Sequence, residues 1–285
     1  MTQYKTTNQH ERLGYEVCQG SDLKQLNDNQ RSELRQALWQ HGVIVARNQY
    51  MTAPELEQFA QHTFGSMIIG GHPKDQKQPA ELRSEYVAIL GNPSGPVAEP
   101  VGAVACQWHQ DKDTLPLLEG QAMNALYVVM LHARKVPDKG RDGLPHTTHF
   151  LDLQEAWRVL DAQRQAELRH IELIHLPFRA AADAVGKKHP LLSRHKTTHR
   201  EGLYMGFNDA IPVGLEHNPE KARSFWNGLL DEVLGKCTVY AHPWQEGDIV
   251  FWDNSQVMHC GQPYDSMSDQ RVALRLGVIA CDNPP

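Results

Sequence analysis

The sequence predicts a single α+β domain, over residues 1–285, built on a β-sandwich or barrel. Several short apolar and β-branched runs are typical of strands, and amphipathic helices lie early in the chain and between those runs. The 285 residues contain no internal repeat, low-complexity tract or convincing linker. One domain with a substantial core is therefore expected.

Two capped helices are predicted in the first quarter of the chain. Asp28 has the position of an N-cap for a helix through about Trp39. Thr52, with Glu55 three residues later, forms a capping-box pattern for a second helix that runs to about His62.

The remaining elements are predicted from apolar runs and residue spacing. Strands are expected at 15–20, 43–46, 86–90, 123–134, 203–207, 236–241, 247–252 and 271–280. Helices are expected at 153–173 and 219–234. Between these elements, the stretches near 66–105 and 185–215 are predicted to form a lid and substrate loops, and the basic, His-rich part at 185–202 is expected to be exposed.

Composition excludes several classes of protein. Charged residues make up 22% of the chain, the formal net charge is −6 and no basic tail is present, which argues against nucleic-acid binding. No apolar run reaches the roughly 20 residues that cross a bilayer, and no secretory signal is visible. The five Cys include no C-x-x-C pair. Reduced thiols and a cytoplasmic location are therefore expected.

The most informative stretch is Trp108-His109-Gln110-Asp111, in which a His and an Asp lie two residues apart. His259 follows far downstream, behind Trp252-Asp253-Asn254. Two His and one carboxylate form the facial triad of non-haem Fe(II) oxygenases, which leaves three adjacent metal positions open. We therefore expect His109, Asp111 and His259 to bind one metal ion, and we expect Asp253 and Asn254 to stabilise a turn through their own backbone.

The order of these segments resembles the taurine catabolism dioxygenase (TauD/TfdA) family of Fe(II)/2-oxoglutarate-dependent oxygenases. The resemblance spans most of the chain, and its most specific parts are the segment at 108–111 and the segment from Gly247 to Asn254 with His259, Arg271 and Arg275. It implies a double-stranded β-helix, which is a cupin-like jelly roll flanked by helices. It also implies Fe(II), 2-oxoglutarate and O2 as cofactor and co-substrates.

The resemblance assigns roles to further residues. Arg271 and Thr148 correspond to the pair that binds the distal carboxylate of 2-oxoglutarate, although the family's Gly-Gly-Asp before the threonine is Pro145-His146-Thr147 here. Arg275 is expected beside the co-substrate or an anionic substrate. His72, Tyr204 and Phe207 are candidate substrate contacts.

The expected reaction oxidises an unactivated C–H bond of a small molecule and releases succinate and CO2. Hydroxylation is the default, desaturation and cyclisation are open, and halogenation is disfavoured because Asp111 fills the position that halide would need. The substrate is expected to be a small anionic or amino-acid-like molecule, a carrier-bound substrate fits as well, and both dimers and tetramers are compatible with the resemblance. The alternatives are a zinc-dependent hydrolase that uses the same three residues and a non-catalytic jelly roll that binds a small ligand.

Overall fold

The computed structural model describes residues 4–17, 22–67, 77–97, 106–111, 126–176 and 186–279. Its helices are α1 (Asp28–His41), α2 (Ala53–Phe64), α3 (Leu153–Arg158), α4 (Ala162–Leu168) and α5 (Pro219–Leu234). Its strands are β1 (Lys5–Thr7), β2 (Tyr15–Glu16), β3 (Val43–Ala46), β4 (Val87–Gly91), β5 (Leu126–Lys135), β6 (Thr147–Asp152), β7 (Glu172–His175), β8 (Lys187–Pro190), β9 (Leu192–Arg194), β10 (Glu201–Leu203), β11 (Ile211–Pro212), β12 (Thr238–Pro243), β13 (Ile249–Asp253), β14 (Val257–Gly261) and β15 (Val272–Ile279).

Two sheets form the centre of the molecule. The larger has the order β2-β3-β13-β5-β15-β4, and the smaller has the order β1-β12-β6-β14. Apolar side chains from both sheets meet between them, including Val129 and Trp252 from the larger sheet and Phe150 and Tyr240 from the smaller one. This mixed α+β architecture is the jelly roll with flanking helices that the sequence analysis predicts.

Helices cover the outer faces of the two sheets. Helices α1 and α2 pack on the larger sheet through residues such as Leu38, Leu56 and Phe59. Helices α3, α4 and α5 pack beside the smaller sheet, where Trp157 and Trp226 are buried. The central strands of each sheet, such as β13 and β6, are therefore largely buried, whereas the edge strand β2 is exposed. No helix in the described ranges is long and apolar enough to cross a membrane.

The capping predictions are confirmed for one helix and wrong by one residue for the other. Thr52 caps α2, and Glu55 completes the capping box. The N-cap of α1 is Asn27 rather than Asp28, because the Asn27 side chain accepts from the backbone of Gln30 and the Gln30 side chain binds back to Asn27. Asp28 is the first helical residue.

The predicted helix at 153–173 is wrong as a single element. The chain forms α3, turns, and starts again as α4 with Asp161 as a new N-cap, whose side chain accepts from the backbone of Arg164. Helix α4 ends at Leu168, and the last two residues of the predicted helix lie in strand β7. Apolar spacing alone did not reveal this local capping signal.

The stretch near 185–215 contains four short strands, β8 to β11, where a lid or loop was predicted. The predicted strand at 203–207 is also wrong, since β10 ends at Leu203. His195 follows β9 and is buried rather than exposed, because its imidazole Nε2 donates to Asp253 at 2.9 Å.

The C-terminal part contains one strand more than predicted. The strands predicted near 236–241, 247–252 and 271–280 correspond to β12, β13 and β15. Strand β14, which carries His259, was missed. It pairs with β6 and places His259 opposite Phe150.

Candidate metal centre and co-substrate pocket

His109, Asp111 and His259 converge beside strand β14, which carries His259. One potential ligand atom from each residue lies within 4.8 Å of the other two, and this is the one such group of His, Cys, Asp or Glu in the described ranges. His259 Nε2 lies 3.6 Å from Asp111 Oδ2, and His109 Nε2 lies 3.9 Å from Asp111 Oδ1. The structure therefore brings together the three residues that the sequence analysis selected.

The two histidines are held in place by their backbones. His109 and His259 form an isolated antiparallel bridge, with N–H to carbonyl distances of 3.0 and 2.8 Å. The His109 Nδ1 donates to the carbonyl of Gln107 at 2.6 Å. Because that carbonyl can only accept, Nδ1 carries the ring proton. The lone pair of His109 Nε2 is then free to face Asp111 and His259.

Asp111 is positioned by the turn that follows β13. The Asn254 side chain accepts from the Asp111 backbone N–H and donates to the Asp111 carbonyl, both at 2.9 Å. Gln110 reinforces this arrangement, because its amide donates to the Asn254 carbonyl and accepts from the N–H groups of Met205 and Gly206. These contacts hold the Asp111 backbone at both its N–H group and its carbonyl group.

The charges in the cluster favour an ionised carboxylate. Burial would raise the pKa of Asp111, but Arg275, His259 and His109 lower it to about 2. Arg275 lies 3.1 Å from Asp111 Oδ1. Burial and the nearby His109 lower the pKa of His259 to about 3, which keeps its imidazole neutral at pH 7.

One carboxylate oxygen is left for a cation. Asp111 Oδ2 is buried and accepts no hydrogen bond in the described part of the chain. Arg275 pairs with Oδ1, so Oδ2 is the carboxylate oxygen that remains without a hydrogen-bond partner among the described residues. Neutral imidazoles and a carboxylate are suitable ligands for a divalent transition metal, so these residues could hold one.

A second positive group, Arg271, precedes strand β15, which carries Arg275. Arg271 lines a cavity, and burial lowers the pKa of its guanidinium. Its backbone is held by Asn92, which accepts from the Arg271 N–H through its side chain and donates its own N–H to the Arg271 carbonyl. Gly91, at φ +105°, permits this approach, because a Cβ there would collide with the Arg271 carbonyl oxygen.

Thr148 is linked to the same cavity through Trp244. The buried Thr148 hydroxyl accepts from the indole N–H of Trp244 at 2.9 Å, and the Trp244 ring lines the cavity with Arg271. Arg271 thus lines the cavity directly, whereas Thr148 lies behind Trp244 and contacts the cavity wall through that indole.

Comparison with known proteins agrees with this arrangement. The family model described as "Taurine catabolism dioxygenase TauD, TfdA family" matches residues 5–276. The chain belongs to the TauD/TfdA family of Fe(II)/2-oxoglutarate-dependent dioxygenases.

Curated members of the TauD/TfdA family share about a quarter of their residues with this chain. The alpha-ketoglutarate-dependent 2,4-dichlorophenoxyacetate dioxygenase of Cupriavidus pinatubonensis is 29% identical over 266 residues, which are 86% of this chain and 87% of that protein. The (S)-phenoxypropionate/alpha-ketoglutarate-dioxygenase of Delftia acidovorans is 26% identical and covers 86% of this chain and 85% of its own length.

Solved TauD/TfdA structures share the fold. AAD-2, in complex with Mn(II) and N-oxalylglycine, has a TM-score of 0.77 at 21% identity, covering 98% of both chains. A putative alpha-ketoglutarate-dependent taurine dioxygenase from Burkholderia xenovorans has a TM-score of 0.73 at 22% identity, covering 99% of this chain and 93% of its own.

Three candidate substrate residues of this TauD/TfdA-family protein have different outcomes. The Phe207 ring lies edge-on to His109, with centroids 5.7 Å apart. Tyr204 instead contacts the rings of His175 and His189, at 5.1 and 5.4 Å. His72 lies outside the described residues.

Sequence reasoning missed how three other residues act in this TauD/TfdA-family site. The turn prediction is confirmed for Asp253, which accepts from the backbone of Ser255, but Asn254 reaches across to Asp111. Arg275 was expected beside the co-substrate or an anionic substrate, and in the structure its guanidinium contacts Asp111 at 3.1 Å. No local pattern signalled the contact of Trp244 with Thr148, since it joins residues 96 positions apart.

Proposed function

We propose that the protein uses Fe(II) and 2-oxoglutarate to oxidise an unactivated C–H bond of a small anionic substrate, with release of succinate and CO2. The observation that carries this proposal is the buried group of His109, Asp111 and His259, with a free carboxylate oxygen at Asp111. The whole chain is taken as one catalytic domain, which the family match over 5–276 supports.

In this proposal, His109, Asp111 and His259 bind the iron. Bound iron with 2-oxoglutarate supplies the activation of O2. The chain's own contribution is placement: the bond to Gln107 orients His109, and Asn254 and Arg275 orient Asp111.

The co-substrate site is proposed at the Arg271 cavity. A guanidinium offers a planar set of donors that matches a carboxylate. Arg271 would bind the distal carboxylate of 2-oxoglutarate, and the Thr148 hydroxyl, which accepts from Trp244, can direct its own proton to the same carboxylate. The binding of N-oxalylglycine by AAD-2 supports a co-substrate site in a protein of this fold.

Charge at the metal cluster supports an anionic substrate. Arg275 is the cation next to Asp111, and the Phe207 ring beside His109 offers an apolar contact. Two curated relatives are named for aryloxy acids, namely 2,4-dichlorophenoxyacetate and phenoxypropionate. We therefore place aryloxyalkanoic acids first among candidates, ahead of amino-acid-like and carrier-bound acids.

The proposal also covers the type of oxidation, the cellular location and the oligomeric state. Hydroxylation is the proposed outcome, with desaturation and cyclisation as variants that depend on the substrate. A cytoplasmic location is supported by the free thiols of Cys106, Cys237 and Cys260. A dimer or tetramer is proposed on the family resemblance alone.

The test is succinate release by the purified protein. Protein supplied with Fe(II), 2-oxoglutarate and O2 should release succinate when an aryloxyalkanoic acid, an amino acid or a sulfonate from a screening panel is the substrate. His109→Ala and Asp111→Ala should abolish this release, whereas Lys196→Ala, an exposed change outside the cluster, should not. Full turnover in either cluster variant contradicts the metal assignment.

Anaerobic titration separates the proposal from a zinc hydrolase. Addition of 2-oxoglutarate to the Fe(II)-loaded protein should produce a weak visible charge-transfer band, which a hydrolase site has no reason to give. A non-catalytic binding protein would show the band without any substrate-stimulated O2 consumption.

A further inference from the structure

The cavity at Arg271 is also lined by His146, to which the proposed function assigns no role. The cavity is lined by Ala133, Lys135, Val136, Pro137, His146, Trp244, Arg271 and Ala273. Among the residues that the structure describes, no carboxylate lies within 4.0 Å of the Arg271 guanidinium, whereas Lys135 reaches Glu246 at 4.0 Å. As far as the described residues go, the partly buried positive charge of Arg271 is therefore available to an anion from solution.

His146 is buried beside this charge, and one of its ring nitrogens has no hydrogen-bond partner in the described part of the chain. Only 4% of its surface is exposed, and Nδ1 has no partner in the described ranges. Burial and the charge of Arg271 lower the pKa of His146 to about 3, so the imidazole is neutral at pH 7. A neutral imidazole carries one N–H donor and one acceptor nitrogen, and a buried ring nitrogen without any hydrogen-bond partner is unfavourable.

Neighbouring groups hold the His146 ring at the cavity. The backbone N–H of Trp244 donates to the His146 carbonyl at 3.1 Å. The Tyr264 ring lies edge-on to the imidazole at 5.7 Å, and its hydroxyl donates to Asn92, which also accepts from the Arg271 backbone. His146 and Arg271 thus share one supporting network, which makes the ring a fixed wall of the cavity.

We propose that His146 is a binding and specificity residue for the co-substrate. It donates a hydrogen bond to the distal carboxylate held by Arg271, and the bulk of its imidazole limits the cavity to a five-carbon 2-oxo diacid. Both statements rest on the proposed function, because they assume that 2-oxoglutarate binds at Arg271. A neutral donor suits this position, because the single negative charge of the distal carboxylate is then matched by the single positive charge of Arg271.

Two substitutions separate the donor from the bulk. His146→Ala removes both, whereas His146→Asn removes bulk and keeps an N–H donor. His149→Ala is the matched control, because His149 lies on β6 close by but does not line the cavity. Arg271→Ala reports whether the cavity is the co-substrate site at all.

The measurement is the dissociation constant of 2-oxoglutarate and of 2-oxoadipate, which is one methylene longer. Calorimetry on the Mn(II)-loaded protein gives both constants without turnover. His146→Ala should weaken 2-oxoglutarate binding by about tenfold, the effect of one hydrogen bond to a charged group. Both His146 variants should bind 2-oxoadipate better relative to 2-oxoglutarate, and His149→Ala should match the wild type.

The outcomes distinguish this inference from the proposed function. If the wild type binds no 2-oxoglutarate, or if Arg271→Ala binds it as well as the wild type does, the co-substrate site is wrong and the role of His146 falls with it. If Arg271→Ala weakens binding but both His146 variants keep the wild-type constants for both diacids, only the role of His146 is overturned. Thermal unfolding checks that each variant is folded. If His146→Ala is not folded, the relative affinity of His146→Asn for 2-oxoadipate and 2-oxoglutarate tests whether the imidazole limits the length of the diacid.

Discussion

Asn254 connects two segments that are far apart in the sequence and adjacent at the candidate metal centre. Its buried amide donates to and accepts from the backbone of Asp111, so the carboxylate is aimed by two hydrogen bonds that do not involve the carboxylate itself. Groups that orient a ligand in this way contribute to metal affinity by reducing the cost of ordering it.

Replacement of Asn254 by Ala should weaken metal binding by about tenfold or more, because Asp111 then loses both supporting bonds. Titration of the metal-free protein with Mn(II) measures the change. Asn227→Ala, an exposed asparagine of α5, is the control and should keep the wild-type affinity. Unchanged affinity in Asn254→Ala would show that the turn does not position the ligand.

The elements around the site show what local patterns can and cannot predict. The capping box at Thr52 and the amphipathic pattern of α5 are signals contained in short stretches, and each predicted its helix correctly. The spacing of His109 and Asp111 is a third such signal, and the structure brings both residues together with His259. Strand β14 was missed because four of its five residues are buried, so its sequence lacks the alternation of a half-buried strand. The link from His195 to Asp253 spans 58 positions and has no local signature.

The β9–β10 hairpin is attached to the larger sheet by this link. His195 Nε2 donates to Asp253 Oδ2 at 2.9 Å, and the backbone N–H of Thr198 donates to His195 Nδ1. Asp253 is fully buried, and Gln256 also donates to its Oδ2. A hairpin predicted to be an exposed lid is therefore anchored at its turn.

His195→Ala should lower the free energy of unfolding by about 2 kcal/mol, since the buried carboxylate of Asp253 loses a donor. It should also speed amide hydrogen exchange in Glu201–Leu203, the second strand of the hairpin. Urea denaturation and exchange measured by mass spectrometry give the two quantities. Lys196→Ala, an exposed change in the same turn, is the control; equal exchange in the two variants would mean that the hairpin is held by other contacts.

At the scale of the whole molecule, the two sheets with helices outside them leave several histidines with no access to water. His132, on β5 of the larger sheet, is fully buried, and its Nε2 donates to the carbonyl of Gln49 at 2.9 Å. Burial lowers the pKa of His132 to about 4, with a further lowering by Arg134 that the Gln49 carbonyl and Asp248 oppose. The composition gave sixteen His, but only the layered packing shows which of them folding keeps neutral.

This burial makes stability fall as the medium becomes acidic. The folded state holds His132 neutral down to about pH 4, whereas the unfolded chain takes up the proton near its ordinary pKa of 6.5. The stabilisation is thus present above pH 6.5 and is lost as pH falls toward 4, because the unfolded state binds more protons in that window.

His132→Gln keeps a donor for Gln49 and removes the titration. Between pH 7 and pH 5 its free energy of unfolding should fall by about 2 kcal/mol less than that of the wild type. Urea denaturation at both pH values measures this difference, with the exposed His170→Gln as a control that should follow the wild type. Parallel pH dependence in His132→Gln and the wild type would show that His132 does not carry this acid sensitivity.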